Sequence, residues 1–388
     1  MNILYVVDST TVSGAENVVL QYIDALRPPA HRVHVFLAER NTRFQAALSE
    51  RNTGFTTTRA FSERIVETTA NPKALLQFSS AFVRVGRALA ELIRTRNIQL
   101  VHSISFPASL YTAVAVRLAR CPHVWHEHNI KKRHTFNPPL YRFTASSCSS
   151  IVGPSNAVTG NLAKFGINPS KLQTVYNGID LSRFRPNDRI ATEIRNELGV
   201  AEDQIAIGLF GQMLPYKGHR TLIAAVEVLV SRYPNLRCFL VGALENPSYQ
   251  EELKRLIEER GLTNRITFTG WRRDVPDVIR AMDVVVVATT TPEPAALALM
   301  EGMAMERPVV ATDTGGTPEI VMDGQTGCLF AAGDASSLAR ALDRVLSDRE
   351  LARRMGAAGR VRVETHFSMQ RHLADMTALY ARAAAEAP

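Results

Sequence analysis

The sequence predicts an α/β protein made of two doubly wound, Rossmann-like domains that face each other across a cleft. Three observations carry this. Short continuous runs of Val, Ile and Leu alternate with amphipathic helical stretches along the chain, the pattern of parallel strands covered by helices on both faces. The alternation restarts after a polar, proline-containing stretch, Arg183-Phe184-Arg185-Pro186-Asn187-Asp188-Arg189, which reads as an interdomain linker. The length of 388 residues suits two domains that each bury a core.

In the first half the strand-like runs are Ile3–Val7, Val33–Leu37, Leu100–Ile104, Ile151–Val152 and Thr174–Tyr176. The second half adds Ile205–Phe210, Cys238–Val241, Ile266–Phe268, Val284–Val287 and Val309–Ala311. Helical patterns cover Arg220–Tyr233, Tyr249–Arg260, Ser336–Leu346 and an alanine-rich end, Met369–Glu386. In such domains ligands bind outside the carboxyl ends of the strands, so the strand-to-helix loops hold the candidate site.

Composition narrows the class. The chain is 46% hydrophobic and 21% charged, as in ordinary globular proteins. The N-terminal run ends at Asp8 without a basic flank, unlike a secretory signal, and no apolar stretch reaches the ~18 residues of a membrane span. Four cysteines without a Cys-x-x-Cys pair predict buried thiols in a reducing, cytoplasmic compartment. Charge is uneven: residues 1–187 hold 22 Lys/Arg against 10 Asp/Glu, and residues 188–388 hold 23 against 27. A basic first half suits an anionic surface, or merely a solubilising one.

Two segments carry the most chemistry. Pro292-Glu293-Pro294-Ala295-Ala296-Leu297 follows the Val284–Val287 strand and reads as the start of a helix with Pro294 in its first turn, an anion site by its free N–H groups and dipole. Glu293 and Glu301 lie eight positions apart, ~12 Å at helical rise. That spacing also fits two solvated helix glutamates. The second segment, Gly208 to His219, puts Gly211 and Gln212 in a loop and Lys217 at a helix start. A cation is unfavourable there without an anion, which makes Lys217 a phosphate candidate beside its plainer reading as an exposed lysine. Neither a Walker spacing nor Gly-x-Gly-x-x-Gly is present. Gly14, Asn177-Gly178-Ile179-Asp180 and Gly315-Gly316 sit in turns that glycine chemistry alone explains.

Together these pieces resemble the retaining glycosyltransferases of family 4, which have the GT-B fold. The likeness is carried by Glu293 with Glu301, Gly211 with Lys217-Gly218, Asn177 to Asp180, Gly315-Gly316-x-Pro318-Glu319-Ile320-Val321, and Asp323-Gly324-x-Thr326-Gly327-x-Leu329. It is strong over residues 145–345 and weaker before. It implies an acceptor domain over 1–183, a donor domain over 184–368, and a helix within 369–388 returning toward the first domain. It implies that Lys217 holds the donor diphosphate, Glu301 the ribose and Glu293 the donor sugar. Backbone N–H groups of Ala296 and Leu297 cap the phosphates, with Gly14, Gly211 and Gln212 nearby. Trp271 and Arg272 border the nucleobase, and His126, in Trp125-His126-Glu127-His128-Asn129, is the active-site histidine. Two positions depart from the family pattern: Ala295-Ala296 replace Phe-Gly, and Gln212 replaces an arginine, offering a hydrogen bond without a charge.

The expected activity is retaining transfer of a hexosyl group from a nucleotide-diphosphate sugar to an acceptor hydroxyl. A lipid-linked glycan of cell-surface polysaccharide synthesis is the preferred acceptor, met at the inner face of the membrane through the basic first domain. No nucleic-acid partner, no cofactor and no metal are expected. Asp-x-Asp is absent, and His126 with His128 lacks a third ligand nearby. The competing readings are a non-catalytic nucleotide-sugar-binding relative, favoured by the two departures, and a nicotinamide-dependent dehydrogenase, disfavoured by the missing glycine fingerprint.

Overall fold

The computed structural model describes residues 1–9, 14–26, 30–59, 61, 72–131, 137–244 and 246–385. The chain forms two compact units, Met1–Val175 with His372–Pro388, and Tyr176–Arg371.

The first unit holds seven parallel strands: β1 (Asn2–Val7), β2 (Arg32–Ala38), β3 (Gly54–Thr58), β4 (Leu100–Ser103), β5 (His123–His126), β6 (Ser150–Gly153) and β7 (Leu172–Thr174). Their order is β3-β2-β1-β4-β5-β6-β7. The second unit holds β8 (Ile205–Phe210), β9 (Leu236–Val241), β10 (Ile266–Gly270), β11 (Val284–Val287), β12 (Val309–Thr312) and β13 (Gly327–Phe330), in the order β10-β9-β8-β11-β12-β13. In each sheet the strand order reverses once, between β1 and β4 and between β8 and β11, while all strands stay parallel. Those switch points are where an open α/β sheet offers a crevice.

Both sheets are buried on both faces, which explains the unbroken apolar strands. Ile3, Tyr5 and Val7 of β1 pack into one cluster and Leu4 and Val6 into another. In β8, Ile207 and Leu209 face one side and Ala206 and Phe210 the other. The C-terminal helix, Met369–Ala385, sends Met376, Leu379, Tyr380 and Ala383 into the core of the first unit. Among the described residues no helix is long and apolar enough to cross a membrane, and all four cysteines are free and buried.

The structure corrects several boundaries. The units divide at Tyr176, ahead of the polar stretch read as a linker. That stretch belongs to the second unit: Phe184 lies in its core, Arg280 donates to the carbonyls of Arg183 and Arg185, and Asn187 caps the helix Asp188–Glu197. Ile179 is bridged to Ser368 and its N–H donates to the Phe367 carbonyl at 2.8 Å. The last strand of the first sheet is Leu172–Thr174 rather than Thr174–Tyr176. Strands β3, β5 and β13 escaped the apolar-run criterion because threonines, histidines or a Gly-Cys pair interrupt them.

Candidate active site

In the second unit, two loops meet at the switch point. The loop after β8 runs from Gly211, at φ 148°, through a short 3-10 turn, Pro215–Lys217, to the helix His219–Leu229. The loop after β11 carries Thr289 to Ala296. They are tied together by Thr290 N–H donating to the Tyr216 carbonyl at 2.8 Å. Gly218 makes the contact possible: at φ 79°, a Cβ there would lie 1.8 Å from the Ala288 carbonyl oxygen.

This geometry brings Lys217 and Glu293 together, although 76 residues separate them. The Lys217 ammonium donates to both carboxylate oxygens of Glu293, at 3.2 and 3.0 Å. The Thr289 hydroxyl donates to Oε2 of the same carboxylate at 2.8 Å. Side-chain exposures of 22% and 13% place the pair in a partly desolvated pocket where charge is felt strongly. The loop after β12 closes the back of the site. Gly316 N–H donates to the Glu293 carbonyl at 2.7 Å, and a Cβ on Gly315 would lie 2.1 Å from that oxygen. The Gly315-Gly316 motif therefore fixes the backbone of Glu293. No sequence motif marks Thr289, whose role comes only from its bond to Glu293. The Asp323 to Leu329 run is turn chemistry, with Asp323 accepting from Leu329 N–H and Thr326 from Met322 N–H.

The helix after β11 is a correction. It spans Leu297–Ala304 with Ala296 as its N-cap, so Pro294 lies before the helix and not in its first turn. The backbone of Glu293 is held by the Gly315 loop, its carbonyl accepting from Gly316 N–H. Glu301 is then the fifth helical residue, ~6 Å along the axis rather than two turns from Glu293. The residue as a whole is half-buried, but its carboxyl is desolvated and pushed up to about 7, opposed by the Arg183 charge. The anion that settles Lys217 before its helix is, in this state, the Glu293 carboxylate.

Beyond β10, Trp271 is 68% exposed. Arg272 is engaged by the Asp274 carboxylate, at 2.8 and 2.5 Å, and by Glu197 at 2.6 Å, and these bonds raise its pKa. Trp271 offers a bare aromatic face, and the Arg272 guanidinium is spoken for by carboxylates. Gln212 is half-buried in the loop after β8.

In the first unit, Gly14 opens the helix Gly14–Ala25 after β1. His126 ends β5 and is fully buried. Neither of its ring nitrogens has a hydrogen-bond partner. His128 stacks on it with ring centroids 4.0 Å apart. Burial holds His126 well below the usual imidazole range, so it is neutral at pH 7. Glu127 is buried between them in sequence, accepting from Asn129 N–H at 3.1 Å with the Lys131 ammonium at 3.5 Å. Lys132, Arg133 and His134 lie outside the described residues. Among the described residues no cluster of three or more His, Cys, Asp or Glu is arranged to hold a metal.

Residues 190–362 match the family model for glycosyl transferases group 1, and residues 12–183 match that for Glycosyltransferase Family 4. The chain belongs to the group 1 glycosyltransferases. This group 1 chain is 34% identical over 225 residues to the D-inositol 3-phosphate glycosyltransferase of Corynebacterium efficiens, covering 56% of this chain and 53% of that one. It is 30% identical over 229 residues to the lipopolysaccharide core biosynthesis mannosyltransferase LpsB of Rhizobium meliloti, 58% of this chain and 64% of that one. The matches span about half to two thirds of these curated relatives' length. Its fold is that of Anabaena Alr3699/HepE, solved in complex with UDP, with a TM-score of 0.84, 24% identity, and 98% and 100% of the two chains covered. The two parallel-sheet units are thus the GT-B architecture.

Proposed function

We propose that the chain transfers a glycosyl group, with retention of anomeric configuration, from a nucleotide-diphosphate sugar to an acceptor hydroxyl. The observation that carries this is the Lys217–Glu293 pair at the β8/β11 switch point, backed by glycine loops. A cation in a partly desolvated crevice suits the charge that develops on a departing diphosphate. When the donor binds, its diphosphate takes over Lys217 and the N–H groups around Ala296 and Leu297. The Glu293 carboxylate, held by Thr289, turns to the donor sugar. Gly211, Gln212 and Gly14 lie along the phosphates, Glu301 accepts from the ribose, and Trp271 lies against the nucleobase. The Arg272 guanidinium serves by holding its loop to Asp274 and Glu197. His126, neutral and with two unpaired nitrogens, offers a hydrogen bond to the transferred sugar and is not a nucleophile.

The acceptor we favour is a lipid-linked glycan of a cell-surface polysaccharide, reached from the cytoplasmic side of a membrane through the basic first 187 residues. The relatives include a lipopolysaccharide core enzyme, which supports that choice. Thermal-shift screening against UDP-, GDP- and ADP-sugars tests the donor, because binding to the native state alone raises its stability by mass action. A family of curves unmoved by every sugar nucleotide at millimolar concentration rejects the reading.

A further inference from the structure

We infer that the C-terminal helix positions His126: Tyr380 fixes the His102 ring, and His102 and His128 clamp the His126 ring between them. The inference rests on the reading that His126 meets the donor sugar, and names the residues that hold it there.

His126 has no hydrogen bond of its own to set its ring angle. A buried polar ring without a partner is uncommon and points to a ligand that completes it. What holds the ring is stacking. His102, in β4, lies 5.5 Å from it with planes 14° apart, and His128 covers it from 4.0 Å with planes 30° apart. His102 is in turn held by a hydrogen bond: its Nδ1 lies 2.6 Å from the Tyr380 hydroxyl, which lies 3.1 Å from the Tyr5 hydroxyl. All of these side chains but His128 are at most 1% exposed. Either direction of the Tyr5–Tyr380–His102 chain fixes which nitrogen of His102 carries its proton, and so the ring's orientation. Burial and neighbouring imidazoles keep His102 and His126 uncharged, so the stack carries no repulsion at neutral pH.

A plainer role for Tyr380 is to cement the helix. The helix already has another anchor of that kind: the Tyr22 hydroxyl lies 2.8 Å from His372 Nε2, and their rings stack at 5.3 Å. The Tyr22 ring lies 5.8 Å from His102, but its hydroxyl bonds His372 and not the His102–His126 stack, so removing that hydroxyl alone serves as the control. Tyr380 and His102 are positioning residues, acting through His126 rather than on the sugar.

The test uses the full chain with isotope-labelled histidine and compares Tyr380→Phe with Tyr22→Phe. Turnover is read on whichever of UDP-glucose, GDP-mannose and ADP-glucose the wild type hydrolyses fastest. Tyr380→Phe is expected to move the imidazole resonances of His102 and His126 and to lower kcat about tenfold, the worth of one buried hydrogen bond. KM for the donor stays within about twofold, as for an interaction felt in the transition state. Tyr22→Phe is expected to move His372 and leave the His126 resonance and kcat in place. An unmoved His126 resonance in Tyr380→Phe, or an equal loss of kcat in both variants, overturns the inference. Should Tyr380→Phe not fold, His102→Gln removes the same bond and must give the same split. Full turnover in His126→Ala overturns the sugar-contact reading itself. An inactive His126→Ala beside a Tyr380→Phe of normal kcat leaves that reading standing and rejects the positioning.

Discussion

At the scale of single residues, the two glutamates of the Glu-x7-Glu pair have different surroundings and so different expected effects. Glu293 is bonded by Lys217 and Thr289 and held at its backbone by Gly316, while Glu301 stands on a helix in a desolvated spot. Glu293→Gln is expected to lower turnover while leaving nucleotide diphosphate affinity nearly unchanged, and Glu301→Gln to weaken affinity for the bare nucleotide. Isothermal titration and initial rates on both variants decide this, and the reverse pattern rejects the placement of the donor. Lys217→Ala is expected to lose about 100-fold or more in turnover, the usual cost of removing one stabiliser of developing charge. It also leaves Glu293 without its cation, at about 1–3 kcal/mol of stability. A folded Lys217→Ala protein with near-normal rates shows that the pair is structural only.

At the scale of elements, what the sequence revealed and what it hid follow from periodicity. Strands with an unbroken apolar run, such as β8 and β11, were legible because both faces are buried. Gly-Phe-Thr-Thr-Thr of β3 and His-Val-Trp-His of β5 were not, since polar residues occupy sheet positions there. The helix after β11 looked as though it began at Pro294, because proline favours a first turn. The bond from Gly316 N–H to the Glu293 carbonyl ties that segment to the loop after β12 instead, and nothing local in the sequence reports a contact between loops. The same blindness hid the partnership of Lys217 with Glu293, whose separate motifs were visible. The true helix start gives a pH prediction. Glu301 has a folded pKa of about 7 against a usual 4.5, so between those values the native state binds more protons than the unfolded chain. Its contribution to stability is therefore present below pH 4.5 and lost as pH rises through about 7. Glu301→Gln is expected to flatten the fall in melting temperature across that window. An identical pH profile in the variant and the wild type counts against a desolvated Glu301.

For the whole molecule, two properties follow from how charge is distributed. In the proposed reading, diphosphate neutralisation falls to Lys217 and helix N–H groups, and no Asp-x-Asp occurs in the chain. EDTA is accordingly expected to leave the rate unchanged, and a loss that a divalent ion restores rejects metal independence. The second property is the basic first half, with 22 Lys/Arg against 10 Asp/Glu over residues 1–187. Each basic side chain at an anionic bilayer is worth ~1 kcal/mol and is screened beyond ~10 Å at 0.1 M salt. Cosedimentation with vesicles containing phosphatidylglycerol should therefore exceed that with neutral vesicles and weaken steadily as salt rises. The run Lys131-Lys132-Arg133 is the natural place to test it. Lys131 is partly neutralised by Glu127 at 3.5 Å, so its share is smaller than that of a free lysine. Replacing all three with glutamine should weaken binding by on the order of tenfold, since three basic side chains are lost. The same variant should keep its donor affinity, because the Lys217 site lies in the other unit. Equal binding to neutral and anionic vesicles, or no response to salt, removes the electrostatic basis and leaves the basic half as a solubilising surface.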